Sequence, residues 1–404
     1  MRLALWLMAA IPLAIWGADL KAIEARAEAL RAKGDAAGAL AAWQEAAAAN
    51  PRSARYEDEI GFLLAVMNRR SDAIAHFERS VNLDSHYAPA QFHLGAAYFL
   101  DHEIERSIAH LQSAAALQPD QTAYQSKLGQ ALVAAEQFGD AIPHLKAATA
   151  RQPADADAWM NLGAALEKTG DPAGAVEAYR HAVDLQPANV DTRNNLGLML
   201  VKTHHADDGI AQFQQVLRIA PSNNAARFNI GFAELQKAEL DRAIAAFQDL
   251  LVRDPENAAA HYNLGVALKN KDEIDAAKRE LARAAEIDPS LAEAHYMIGI
   301  ACWQSGDFDG AVRAMREAIA IRGDYAEAYF MLGTALKQKG DFTAAEQALR
   351  TAIQLDPANP GAYNTLAQIL RQKGEIEESK RLFAEGDRVK RAKEVELGLR
   401  TERK

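Results

Sequence analysis

Residues 156–189 read ADAWMNLGAALEKTGDPAGAVEAYRHAVDLQPAN. Large and small apolar residues recur in the first half at helical spacing: Trp159, Leu162, Gly163 and Leu166. Gly170 interrupts that pattern, Pro172 begins a second apolar stripe and Pro187 ends it. Glycine just after a helix and proline at the first position of the next are common helix boundaries. The stretch therefore predicts two helices joined by a tight turn.

The same pattern recurs along the chain with a period of 34 residues and no insertion or deletion. Nine glycines keep that register: Gly61, Gly95, Gly129, Gly163, Gly197, Gly231, Gly265, Gly299 and Gly333. A fixed period of this length predicts an array of helical hairpins. Because helices approach closely where contact side chains are short, we expect Gly163 to face Ala175 of the second helix.

The order of residues in these columns resembles the signature of the tetratricopeptide repeat. The matching positions are Trp159, Leu162, Gly163, Leu166, Ala175, Tyr179, Ala182 and Pro187. The resemblance implies an all-α fold, a right-handed α-solenoid of about eleven 34-residue units over residues 20–387. Terminal repeats are expected to be atypical, and we interpret residues 388–404 as a charged C-terminal capping helix or tail.

Composition restricts the function. The net charge of −10 and the pI near 5.6 argue against nucleic-acid binding, which needs a concentrated field of Lys and Arg. The single cysteine, Cys302, excludes an intramolecular disulfide and is expected to be buried and inert. No cofactor is implied.

The first residues differ from the repeats. An apolar run from Leu3 to Trp16 follows Arg2, and Gly17 and Ala18 come next. The run is shorter than the ~20 residues that a transmembrane helix needs. It is typical of a signal peptide over residues 1–18 and predicts export to the periplasm or cell envelope. An uncleaved N-terminal anchor and an apolar first helix of the array remain as alternatives.

Motifs for catalysis are absent from the sequence. His76, His110 and His144 share one column, where equivalent side chains on stacked hairpins lie too far apart to share a metal. We expect them to be solvated or to take part in packing. His204 and His205 precede Asp207 and Asp208 in a turn and are a weak candidate for a metal site.

An asparagine column precedes the Leu-Gly pair in four successive repeats: Asn161, Asn195, Asn229 and Asn263. It is similar to the asparagine ladder of O-linked N-acetylglucosamine transferases, whose catalytic region this chain lacks. An Asn side chain offers both donor and acceptor, which suits the backbone of an extended peptide. The alternative is that these amides merely suit the repeat surface and bind water.

Aromatic residues form the adjacent column: Phe92, Phe228, Tyr262, Tyr296 and Phe330. Phe232, Ile300 and Trp303 follow on the same helix face, and Lys269, Lys337 and Arg371 share a further column. The aromatic rings could contact a partner or pack between repeats, and the cations could bind a partner or interact with helix C-termini.

These patterns predict a non-catalytic scaffold for protein–protein interaction that binds an extended peptide or a partner protein in its concave groove. The candidate residues are the four asparagines with Phe228, Tyr262, Tyr296, Phe330 and Trp303. A self-assembling structural subunit of a cell-envelope complex is the alternative, and an enzyme built from scattered residues such as His204, His205 and Asp208 is the third hypothesis. The sequence does not predict an oligomeric state.

Overall fold

The computed structural model describes the backbone of residues 13–401 and the side chains of residues 19–395, and within that range it contains helices and no strands. It divides into two compact units, residues 1–203 and 204–404, with the boundary in the turn of the sixth hairpin. The all-α prediction is confirmed.

Eleven helices are described in the first unit: α1 (Leu13–Ala32), α2 (Ala36–Ala49), α3 (Ala54–Val66), α4 (Arg70–Leu83), α5 (Ala88–Leu100), α6 (Ile104–Leu117), α7 (Thr122–Ala134), α8 (Phe138–Arg151), α9 (Ala156–Lys168), α10 (Pro172–Leu185) and α11 (Val190–Lys202). Eleven are described in the second: α12 (Ala206–Ile219), α13 (Asn224–Gln236), α14 (Leu240–Arg253), α15 (Ala258–Asn270), α16 (Ile274–Ile287), α17 (Ala292–Gln304), α18 (Phe308–Ile321), α19 (Ala326–Gln338), α20 (Phe342–Leu355), α21 (Pro360–Gln372) and α22 (Ile376–Thr401).

Within each unit every helix packs on the next one along the chain, as in a solenoid. The first helices of most neighbouring hairpins also touch each other, for example α7 with α9 and α15 with α17, whereas the described second helices do not pair in this way. First helices are therefore the more closely spaced set. They form the inner surface of each unit.

A left-handed residue makes the turn inside every described hairpin. Five of these residues are glycines, including Gly170 with φ of +84° as expected from the sequence. The other six are Asn68, His102, Glu136, His204, Ala238 and Asp272, with φ between 58° and 68°. Tertiary packing thus imposes on non-glycine residues a conformation that normally favours glycine.

The glycine column lies close to the alanine column, as predicted, and also to a large side chain. A Cβ added at Gly61 would lie 3.1 Å from the carbonyl oxygen of Ala73, which has the register of Ala175. A Cβ added at Gly163 would lie 2.7 Å from the Tyr179 ring, one helical turn beyond Ala175, and both large side chains at Gly163 and Gly129, Tyr179 and Leu145, are fully buried. Absence of the glycine side chain therefore makes room for a large side chain as well as for the backbone of the alanine column.

Buried residues form extended clusters that follow the hairpins of each unit. Residues 27–98 and 88–200 form two clusters in the first unit, and 243–277 and 302–370 form two in the second. Cys302 is buried among them, as predicted, and burial raises the pKa of its thiol. The core is therefore distributed along each stack.

The ends of the chain differ from the internal repeats. Helix α22 runs past residue 387 without a break, so residues 388–401 continue the second helix of the eleventh hairpin. Most of the expected leader, residues 1–12, lies outside the described residues, and no side chain before Asp19 is described. Within the described part of the chain, no helix has the length and apolar character required to cross a bilayer.

Candidate functional site

The asparagine column lies on the inner surface, at the sixth residue of the first helix of each hairpin. In the first unit the same register position carries polar residues in five hairpins: Glu59, His93, Lys127, Asn161 and Asn195. Asn161 and Asn195 therefore belong to the first unit, and Asn229 and Asn263 belong to the second. The four amides are half-buried.

A cavity of about 550 Å³ opens between hairpins of the first unit. Phe92, Lys127, Gln130, Asp157 and Asn161 are among the residues that line it. The structure thus brings Asn161 together with the aromatic residue Phe92, although the two lie 69 positions apart in the sequence. An apolar ring, a cation and an amide share one concave surface.

Lys127 is the cation of this cavity. Its ammonium donates to Gln130 Oε1 at 2.8 Å and lies 4.6 Å from the centroid of the Phe99 ring. Burial lowers the pKa of Lys127, and the nearby carboxylate of Asp157 opposes that shift. An ammonium that has lost part of its hydration is stabilised by hydrogen-bond acceptors, and because Asp155 and Asp157 also line the cavity, the cavity favours a neutral acceptor such as a peptide carbonyl oxygen.

Asn161 uses part of its hydrogen-bonding capacity inside its own helix. The amide nitrogen donates to the carbonyl oxygen of Asp157 at 2.8 Å. A second amide hydrogen and the side-chain oxygen remain, so a donor and an acceptor still face the cavity. Asn195 differs, because no equivalent bond to its own helix is found for it among the described residues, and it lies near buried Tyr179, whose hydroxyl donates to Glu167 Oε2 at 3.2 Å.

In the second unit Asn263 repeats the arrangement of Asn161. Its amide nitrogen donates to the carbonyl oxygen of Ala259 at 2.8 Å. Asn229 lies on the neighbouring first helix and is also half-buried. A side chain that bonds to the carbonyl four residues earlier is partly satisfied without a ligand, which is a structural reason for asparagine at this register position.

The aromatic column of the second unit is half-buried and packs against neighbouring rings. Phe228 meets Phe247 of the core edge-on at 5.7 Å, and it stacks on Phe232 at 6.5 Å. Tyr296 contacts Tyr325 at 5.1 Å. These rings therefore contribute to packing, and Phe232 exposes 36% of its surface.

The remaining aromatic candidates have similar surroundings. The Phe330 ring lies against Gly361 of the next hairpin, where an added Cβ would come within 3.0 Å. Trp303 meets Phe308 edge-on at 5.0 Å. Burial raises the pKa of Tyr262, and Glu293 of the next hairpin adds to the shift. Tyr296 and Phe330 thus contact the next hairpin, whereas Phe228 and Trp303 pack within their own hairpins.

The cation column includes one half-buried lysine, Lys269, whose pKa is lowered by burial. Lys337 donates to Gln368 of the next hairpin, and Arg371 is exposed.

The histidine column is part of the packing, as predicted. Nδ1 of His110 donates to Gln91 Oε1 and Nδ1 of His144 donates to Gln125 Oε1, each at 2.7 Å. His76 makes the equivalent contact with Glu57. His204 forms the turn residue of its hairpin. In the range that the structure describes, no three His, Cys, Asp or Glu side chains converge as metal ligands.

A column of side-chain donors was missed in the sequence. The fourth residue of several first helices donates to a carbonyl six residues earlier, in the turn between hairpins. The donors are Gln91, Gln125, Trp159, Arg193, Arg227 and His261. Residue type varies in this column, and only the capacity to donate is shared. A donor side chain at the same position in successive repeats was the sequence signal that could have identified this column.

Comparison with known proteins gives the family. Models described as tetratricopeptide repeat match residues 126–190, 194–251, 234–299, 303–352 and 336–396. No curated protein matches the sequence. Solved structures that resemble the chain include yeast Tom70, which is 15% identical with 92% of each chain covered and a TM-score of 0.47.

Two further similar structures cover less of this chain. YrrB, described as a TPR protein with an unusual peptide-binding site, is 21% identical over 46% of this chain and 95% of its own, with a TM-score of 0.43. A tetratricopeptide repeat protein from Parabacteroides merdae is 12% identical over 62% and 98%, with a TM-score of 0.48. On the strength of the repeat matches, which span well over half of its residues, the chain belongs to the tetratricopeptide repeat family.

Proposed function

We propose that this tetratricopeptide scaffold binds an extended polypeptide segment on the inner surface of its first unit. The observation that carries the proposal is the 550 Å³ cavity in which Phe92, Lys127 and Asn161 meet. Repeat solenoids commonly use such concave surfaces for binding. The amide and the ammonium offer hydrogen bonds to backbone carbonyl oxygens, and the ring offers apolar contact.

The second unit offers a related surface with Asn229, Asn263 and the edges of Phe228, Tyr262, Tyr296, Phe330 and Trp303. Asn263 keeps a free donor and acceptor, as Asn161 does. We treat this surface as a second contact region for the partner. Its aromatic rings are tied into packing, so their substitution would alter stability as well as binding.

Photo-cross-linking tests the first-unit proposal. A benzophenone amino acid replaces exposed Ala123, which lines the cavity, and in a matched control it replaces exposed Ala150 on α8. In cells that produce the protein, the probe at position 123 should cross-link one polypeptide segment that the probe at position 150 does not reach. Identical products from both positions, or no product from position 123, would contradict the proposal.

The structural alternative is self-assembly of the chain into a cell-envelope complex. Light scattering of the purified protein over a range of concentrations separates the hypotheses, because an assembly subunit should gain mass as concentration rises. A constant monomer would remove the alternative.

Export remains part of the proposal and rests on the apolar run from Leu3 to Trp16. Cell fractionation with N-terminal sequencing should recover a mature chain that begins near Ala18 or Asp19 outside the cytoplasm. Full-length protein in the membrane fraction would instead support the anchor, and full-length protein confined to the cytosol would contradict export.

A further inference from the structure

A buried carboxylate holds one histidine on the inner surface of the first unit. Asp58 on α3 is 3% exposed, and its Oδ1 lies 2.8 Å from Nδ1 of His93 on α5. An ionised carboxylate can only accept, so Nδ1 carries the hydrogen of this bond. In the neutral imidazole, Nε2 is then an acceptor.

The surroundings of His93 are mostly apolar. Three phenylalanine rings have centroids within 5.6 Å of the imidazole: Phe62, Phe77 and Phe92. A pocket of about 190 Å³ lies beside it and is lined by His93, Phe62, Phe77, Ala96 and Leu100, among others. Within the described residues, Nε2 of His93 has no hydrogen-bond partner.

The one charged group among the other lining residues is already engaged. Arg70 donates to Asp101 Oδ1 at 2.9 Å and to the carbonyl of Leu100 at 3.4 Å. In its neutral form, His93 supplies an imidazole acceptor beside a small pocket lined in part by aromatic rings. Such a pocket complements a ring that carries one hydrogen-bond donor, because buried Tyr and Trp side chains need a partner for their O–H or N–H.

We propose that this pocket receives a tyrosine or tryptophan side chain of the bound polypeptide, whose O–H or N–H donates to Nε2 of His93. The inference rests on the proposed function for the source of that side chain. His93 occupies the register position of Lys127 and Asn161, and its neighbour Phe92 lines the larger cavity. Because Phe92 and His93 are adjacent, a polypeptide bound in the larger cavity lies next to the residue that lines this pocket.

Small side-chain analogues test the pocket without a polypeptide. p-Cresol, 3-methylindole and toluene stand for tyrosine, tryptophan and phenylalanine, and each is titrated into the full-length protein while the His93 imidazole is followed by NMR. At least one donor-bearing probe should bind about fivefold tighter than toluene, the ratio expected for one net hydrogen bond. The tighter of p-cresol and 3-methylindole identifies the preferred side chain. Equal or tighter binding of toluene would overturn the inference.

A double variant tests whether His93 causes the preference for donor-bearing probes over toluene. D58N/H93F removes the acceptor without leaving a buried unpaired carboxylate, and it should abolish the preference over toluene while toluene still binds. His144→Phe is the matched control, since His144 is also half-buried with Nδ1 bonded across its hairpin but does not line the pocket. Persistence of the preference in D58N/H93F would contradict the inference. If the double variant does not fold, the order of ligands in the wild-type protein decides alone.

The outcomes separate this inference from the function on which it rests. A preference for p-cresol or 3-methylindole together with a failed cross-link at position 123 would support the pocket chemistry and contradict the polypeptide proposal. A successful cross-link with no such preference would contradict the pocket alone.

Discussion

At the scale of single residues, the glycines recur in register because the two helices of each hairpin pack closely. A glycine recurs wherever the side chain of the second helix must lie directly on the backbone of the first, as Leu145 does on Gly129. Sequence periodicity was sufficient to locate these glycines. It did not give the large side chain that contacts each glycine, because Tyr179 lies one turn beyond Ala175 on the same face of the second helix and spacing alone does not distinguish the two contacts.

Gly129→Ala should destabilise the protein by roughly 1–2 kcal/mol. The new Cβ would lie 2.4 Å from Leu145, a fully buried side chain, and overpacking costs more than the helix propensity that alanine gains. Gly139→Ala in the same hairpin is the control, since no atom lies within 4 Å of its added Cβ. Urea denaturation followed by circular dichroism measures both, and equal stability of the two variants would refute the packing argument.

The half-buried histidines predict that the free energy of unfolding depends on pH. Burial is the main cause that lowers the pKa of His110 and of His144 in the folded chain. Arg106 also lowers the pKa of His110, and Glu78 raises it. Asp140 raises the pKa of His144. The neutral form therefore favours folding. Its contribution is complete above the ordinary histidine pKa of about 6.5 and is lost as pH falls through the lower folded value.

The variant H110Q/H144Q should accordingly lose less stability than the wild type between pH 7.5 and pH 5. Urea midpoints at the two pH values give the comparison, and other titrating groups cancel because they are common to both proteins. An equal loss in both proteins would show that these histidines are not the cause.

At the scale of elements, side chains hydrogen-bond to the turns that connect hairpins, and no sequence motif identifies these hydrogen bonds. Trp159 at the start of α9 donates its indole N–H to the carbonyl of Pro153 at 3.0 Å and stacks on His181 at 4.3 Å. Helix bounds and turns follow from periodicity, proline and glycine. Non-glycine residues in left-handed turns, such as Ala238, could not be predicted because the packing of both flanking helices imposes them.

Trp159→Phe should cost about 1 kcal/mol, the usual net value of one hydrogen bond, because the ring can still stack while the N–H is lost. Trp303→Phe is the matched control, as its indole nitrogen has no hydrogen-bond partner among the described residues. Thermal unfolding should show a larger decrease in Tm for the variant at position 159. The reverse order would contradict a role for this bond in joining hairpins.

At the scale of the whole molecule, family membership makes the chain a protein-interaction scaffold, and each unit is stabilised by contacts between successive helices. The sequence predicted the array and the columns of candidate residues. It could not predict which columns enclose a cavity, since that depends on how neighbouring hairpins are spaced. The Phe92, Lys127 and Asn161 cavity became visible only in the structure.

Deletion of residues 360–404 should leave a folded protein. α21 and α22 pack on each other, and α21 packs on α20, so their removal exposes one interface rather than a central core. The helical circular dichroism signal should fall in proportion to the deleted helices, with a cooperative transition at a lower temperature. Complete loss of helical signal would indicate long-range dependence that a solenoid does not have.

Calorimetric titration measures directly whether the first-unit cavity binds polypeptide. The segment cross-linked at position 123, made as a synthetic peptide, is titrated into wild-type protein, into K127A/N161A and into K269A/N263A, which reports separately on the second contact region. We expect K127A/N161A, with an unchanged Tm, to bind at least about tenfold more weakly than the wild type, because a charge-assisted and a neutral hydrogen bond are lost. Binding by K127A/N161A as tight as that of the wild type would show that the first-unit cavity does not bind the polypeptide.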